Sequence, residues 1–190
     1  MALRSKMIDK QIAILRATAG KKVETGWFSS DRYGGEGEMA GRSVAEVARL
    51  NEFGGTIQHP GGTKYITDAV VKQKFVGSRF VKSDFAGEHK ITGPSVIVIP
   101  ARPFMRLAEM NFKADSLKVQ MKIASKLIRG SISPAQAMEQ IGMEMENYIV
   151  DAIKKGDWTP NAASTIAKKG FDKPLIDSSH MWKTVNSKVS

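Results

Sequence analysis

The side chains best suited to acid–base chemistry or metal binding are three histidines, His59, His89 and His180. They lie far apart in the chain, and none has a second ligand at metal-site spacing. A lone histidine in a loop is more often solvent-exposed than catalytic. The chain contains no cysteine, which excludes thiolate nucleophiles, disulfides and cysteine-based zinc sites. It also contains no His-Glu-x-x-His, no P-loop and no Gly-x-Ser-x-Gly pattern. Gly35-Glu36-Gly37-Glu38-Met39-Ala40 has the spacing of a dinucleotide-binding turn. That turn needs a buried strand before it and a helix opening inside it. Here a polar loop precedes it, the next helix begins at Ser43, and two glutamates would face the pyrophosphate. The segment therefore reads as a flexible loop. Glu139, Glu144 and Glu146 fall mostly opposite the apolar stripe of their helix, where nothing shifts a carboxylate pKa. The expectation is a chain that is not an enzyme, with no cofactor and no bound metal.

Charge is the stronger signal. The net charge is +10, which points to an anionic partner, nucleic acid first among them. The basic residues cluster in 1–22 and 102–129, and the following stretch turns acidic. Opposite patches on one small protein suit self-association as well as DNA. Lys118, Lys122, Lys126 and Arg129 recur about one turn apart, beside an apolar face made by Leu117, Met121, Ala124 and Ile128. Such a stripe can follow a phosphate backbone, face another subunit, or stay solvated. No aromatic residues interleave the lysines, so base stacking is not expected.

Elements that must position these groups follow from the apolar pattern. Residues 3–19 read as a helix, with Leu3, Met7, Ile8, Ile12 and Leu15 at helical spacing and Gly20 to end it. A strand over 21–28 and a polar loop over 29–41 come next. A second helix opens with the capping-box spacing Ser43-x-x-Glu46 and stops near Gly54-Gly55. From Thr56 to Ile99 short β-like runs alternate with turn residues, and 60–94 reads as an elaborated hairpin or a long loop. Ser95–Ile99 is the best strand, β-branched almost throughout. A helix begins at Pro103, and helical periodicity resumes over Asp115–Arg129. Ser133-Pro134 starts a long helix to Lys155, with Met138, Ile141, Met145, Tyr148 and Ala152 on one stripe. The last segment holds a short helix at Ser164–Lys169, a turn at Lys173-Pro174, and a strand at Thr184–Val189. The fold class is α+β: a small antiparallel sheet packed with several helices, one of them long and in the C-terminal half, plus a hairpin or loop insertion. One domain over 1–190 is expected, with 56–98 as a variable insertion. No stretch reaches the length of a membrane span, and Met1–Lys10 lacks a signal-peptide core, so no membrane contact is expected and the protein should stay in the cytoplasm where it is made.

Three segments carry a more specific signal. They are Val44 to Gly54 (Val-Ala-Glu-Val-Ala-Arg-Leu-Asn-Glu-Phe-Gly), Ile99 to Arg106 (Ile-Pro-Ala-Arg-Pro-Phe-Met-Arg), and Trp158 to Asp177 with its Lys-Pro-Leu-Ile-Asp ending. In this order the chain resembles the tail-completion or neck proteins of long-tailed bacteriophages. Gly55 stands where family members often have Thr, and Ser178-Ser179 where they often have Thr-Gly. The resemblance implies a structural virion protein that forms a ring at the head–tail junction and is needed for head–tail joining or tail completion. Its place would be the virion neck or tail, and the host cytoplasm during assembly. The implied partners are copies of itself in a six- or twelve-fold ring, neighbouring connector, tail-terminator or tail-tube proteins, and channel DNA contacted without sequence preference. Within the resemblance, the segments supply the candidate interface residues Asn51, Glu52, Phe53, Arg102, Phe104, Arg106 and Trp158. Read locally, Phe53 anchors a helix end in the core, Arg102 and Arg106 project from one side of a corner, and Asp177 caps a short helix. Two rival readings are a tail terminator capping the tail tube and, from another class, a nucleic-acid-binding regulator. The regulator would need a recognition element, and no helix-turn-helix or ribbon signature is present.

Overall fold

The structure, a computed structural model, describes residues 9, 11–14, 16–35, 39–71 and 74–190. Its elements are β1 (Val23–Gly26), α1 (Val44–Phe53), β2 (Gly55–His59), β3 (Lys64–Val71), β4 (Lys74–Phe80), β5 (Lys90–Ile91), β6 (Ser95–Ile99), α2 (Phe104–Ile128), α3 (Pro134–Lys155), α4 (Ala163–Lys169), α5 (His180–Lys183) and β7 (Asn186–Val189). The fold is α+β, with small antiparallel sheets and two long helices. The chain divides into two compact units, one from the segments before Gly54 and after Pro100, the other Gly54–Pro100.

The first unit is built on a helical hairpin. Ser133 caps α3 by a full capping box: its hydroxyl accepts from Gln136 N–H at 3.2 Å, and the Gln136 side chain accepts from Ser133 N–H at 2.9 Å. Pro134 fills the first turn, as its fixed φ allows. The main core joins Val44 and Ala48 of α1, Phe104 and Ala108 of α2, Ile149, Ala152 and Ile153 of α3, and Met181 of α5. A smaller cluster of Ile123, Leu127 and Ala137, with Val119, Ile132 and Ile141 packed against it, holds the far ends of α2 and α3 together. Strand β1 pairs antiparallel with β7, Val23 opposite Val189, and this two-stranded ribbon lies on α3. Gly142 permits the approach: a Cβ there would stand 2.7 Å from the Ser187 Cβ and 3.2 Å from a Val23 methyl.

In the second unit β2 pairs with β6 from Gly55↔Ile99 to His59↔Ser95. Strand β3 pairs with β4 on one side and briefly with β5 on the other, giving the order β4-β3-β5. Of the two alternatives for 60–94, the hairpin is therefore the one formed. Strand β2 follows α1 after Gly54 alone, which takes φ +69°, a left-handed helix-ending conformation. The strand lies at the start of the stretch where β-like runs are expected, though no run is singled out over 55–59.

Several expectations are corrected. The helix expected over 3–19 is helical at 9, 11–14 and 16–18, while Leu3, Met7, Ile8 and Leu15 lie outside the described residues. Ile12 is exposed, and Ile14 instead packs on the smaller cluster. The two helical stretches expected after Pro103 form one helix of 25 residues. Its packing face is Val119, Ile123 and Leu127, whereas Leu117, Met121, Ala124 and Ile128 point outward. Residues on both sets keep helical spacing, so periodicity alone did not separate them. Phe53 is 64% exposed, and the buried neighbour at that helix end is Glu52. The N-cap of α5 is Ser179 at φ +65°, with no side-chain cap bond, so Asp177 does not cap it. The last strand starts at Asn186, because Thr184 closes α5 through its hydroxyl to the His180 carbonyl at 2.9 Å.

Candidate functional site

Two of the three sequence segments meet at one corner, where the end of α1 abuts the start of α2. Pro103 precedes α2 and offers no side-chain cap. Glu52 supplies it from α1: one carboxylate oxygen accepts from Met105 N–H at 2.7 Å, the other from Arg106 N–H at 3.4 Å and Arg106 Nε–H at 3.2 Å. A carboxylate is favoured there by the free N–H groups and the helix dipole. Asn51 fixes the same corner, its carbonyl accepting from Arg102 N–H at 2.8 Å and its side-chain amide donating to the Val47 carbonyl.

Arg102 is buried, and its guanidinium donates twice to the Thr159 carbonyl at 3.1 Å and once to Pro160 at 3.5 Å. Burial pushes its pKa down, and Asp172 works in the opposite direction. Trp158 turns back over the end of α3, donating Nε1–H to the Ala152 carbonyl at 3.1 Å, with Gly156 leaving room for the indole. Phe104 is fully buried, edge-on to Trp27 at 5.9 Å. Of the candidate interface residues, Asn51, Glu52, Arg102, Phe104 and Trp158 thus make internal contacts. Phe53 and Arg106 reach the surface, where the Arg106 guanidinium lies 5.5 Å from the Phe53 ring centre. Arg102 and Arg106 do not share a side of the corner.

Beside the corner lies a cleft of about 240 Å³ bordered by Tyr33, Asn51, Arg102, Lys169, Asp177 and His180. Its polar groups serve the fold: Lys169 donates to the Lys173 carbonyl at 2.7 Å, and the His180 ring meets the Arg32 carbonyl at 3.0 Å. Burial lowers the Lys169 pKa, against the pull of Asp177 and Asp172. The cleft is smaller than a usual ligand site. His59 and His89 bond within their own turns, to Gly61 and Gly87. Among the described residues no cluster of His, Asp or Glu is arranged to hold a metal, and no helix is long and apolar enough to cross a membrane. Glu36, Gly37 and Glu38 of the glycine-rich loop lie outside the described residues.

The surface that stands out is the outer face of α2. Met110, Leu117, Met121 and Ile128 are 61%, 69%, 62% and 58% exposed. With Ala114 and Ala124, also exposed, they make one continuous stripe along the helix. Lys118, Lys122 and Arg129 are exposed along one border of it. Lys126 is turned toward α3, donating to the Gln140 side chain at 3.2 Å. On α3, Glu139 and Met143 are exposed, Glu144 is half-buried, and Asp151 pairs with Lys155. Glu146 does not face a partner: it accepts a 2.6 Å bond from the Ser187 hydroxyl. The stripe's residues share one face, as their spacing predicts, but that face points outward, and the second set, Val119, Ile123 and Leu127 on the opposite side, is the one that packs.

No family model, curated protein or solved structure matches this chain.

Proposed function

We propose that the chain is a structural subunit of a tailed-bacteriophage particle, assembling as a ring at the head–tail junction and needed for head–tail joining or tail completion. It is a building block, not an enzyme. The three sequence segments support the family reading. Two of them, Val44–Gly54 and Ile99–Arg106, contribute to a single corner through Glu52, Met105 and Arg106, and Arg102 ties the third segment to it at Thr159. Shared signatures thus coincide with the joints of the fold, as expected of a scaffold protein.

The observation that carries the reading is the outer face of α2, where four large apolar side chains stand in solvent beside exposed cations. Contiguous apolar stripes on a subunit usually mark a contact surface. The net charge of +10 supports a place next to channel DNA. Phosphate contacts of that kind carry no sequence information. Deleting the gene tests the proposal: the expected result is DNA-filled heads and separate tails, or tails of abnormal finish. Normal infectious particles from the deletion would refute it.

A further inference from the structure

The α2 stripe faces away from α3, and among the described residues of its own unit none covers it along a helix of 25 residues, roughly 37 Å. Its apolar centre is what a protein surface covers and a phosphate backbone does not. Its border is cationic, at Lys118, Lys122 and Arg129. Two copies meeting α2 to α2 would bring these cations together. A surface that answers it in charge is the outer face of α3, where exposed Glu139 and Met143 stand beside half-buried Glu144.

Levels along the hairpin also agree. Lys126 bonds Gln140, and Tyr148 bonds Asp115 at 2.8 Å, which sets Met121 at about the height of Met143 on the opposite outer surface. A neighbour placed by rotation without sliding therefore brings Met143 onto Met121. It also lays Glu139 and Glu144 at the level of Lys118 to Arg129. Such a contact uses two different patches of one molecule, the kind that closes into a ring.

We propose that the outer face of α2 docks on the outer face of α3 of a second copy, with Met121 against Met143 and the lysine border against Glu139 and Glu144. This deepens the ring reading by naming its contact, but it stands on the exposed residues of the purified subunit and is tested there. The chain has no cysteine, so introduced thiols are unique. Met121→Cys combined with Met143→Cys, treated with a short bismaleimide, should give a ladder of multimers on a denaturing gel. Met121→Cys alone should give none. Light scattering supplies the second readout: K118E/K122E should fall to monomer, and adding E139K/E144K to the same chain should restore assembly.

A dimer from Met121→Cys alone would overturn the proposal in favour of α2 pairing with itself. So would multimers that neither crosslink nor respond to the charge reversal. A protein that stays monomeric but is retained by duplex DNA or anionic vesicles, losing that retention in K118E/K122E, would assign the face to a polyanion and overturn it too. In each of these cases the gene-deletion phenotype still judges the virion reading separately.

Discussion

The carboxylate of Glu52 sits 2.7 Å from the backbone N–H of Met105, so the last turn of α1 caps the first turn of α2. The two residues are 53 positions apart in the chain. The bond does the work a local cap would do, while setting where the two helices meet.

Replacing Glu52 with Ala should cost about 2–3 kcal/mol, the range for hydrogen bonds to a buried charged group. Thermal unfolding should fall by about 5–10 °C for a chain of this size. Arg106→Ala should cost no more than about 1 kcal/mol, because its side chain is 64% exposed. Equal losses from the two variants would show that the ion pair, and not the helix cap, holds the corner.

Arg102→Lys keeps the charge but loses the forked donors that reach Thr159 and Pro160. The expected result is loosening of the segment after α3, seen as faster hydrogen exchange over 157–176, with α2 and α3 unchanged. Uniform exchange across the chain would contradict the assignment.

Gly142→Ala should destabilise the protein by roughly 1–3 kcal/mol, since the added methyl meets Ser187 and Val23. On an isolated helix the same change would stabilise by about 1 kcal/mol. Chemical denaturation of the variant decides which effect prevails, and a gain would mean that β1 and β7 do not press on α3.

Burial, aided by Asp177, raises the Tyr33 phenol above its ordinary value of 10.0. The folded protein therefore keeps this proton at a pH where the unfolded chain has released it. The associated stability is present below pH 10 and is lost as pH rises through the higher folded-state value. Tyr33→Phe should flatten the alkaline limb of the stability curve, and an unchanged limb would refute the linkage.

How far the residues announced their own structure depended on the range of the forces involved. Ser133, Pro134 and Gln136 form a cap within four residues, so the start of α3 was readable at once. The β-branched run Ser95–Ile99 was equally plain. Its partner β2, where only Thr56 and Ile57 are β-branched, has a weaker bias and relies on β6 beside it. The basic stripe was readable as a spacing, but Lys126 separates from Lys118 and Lys122 only when Gln140 is present to receive it. Glu52, Arg102 and Trp158 looked like surface signature residues. Their roles as cap, tie and cover depend on partners that sequence spacing does not reveal.

The β1–β7 ribbon also governs when the fold can close. The bond from Asn186 to Asp31 spans 155 positions, and every pair of the ribbon is as remote. Contacts of this separation form slowly, because a large loop must be brought together before any pairing is gained. The α2–α3 hairpin needs only neighbours in sequence, so it can assemble while β1 still waits for β7. On a ribosome, the side of α3 around Gly142 would stay bare until β7 emerged. Newly made chains would then pass through a period of exposure to chaperones and proteases that the folded protein no longer has.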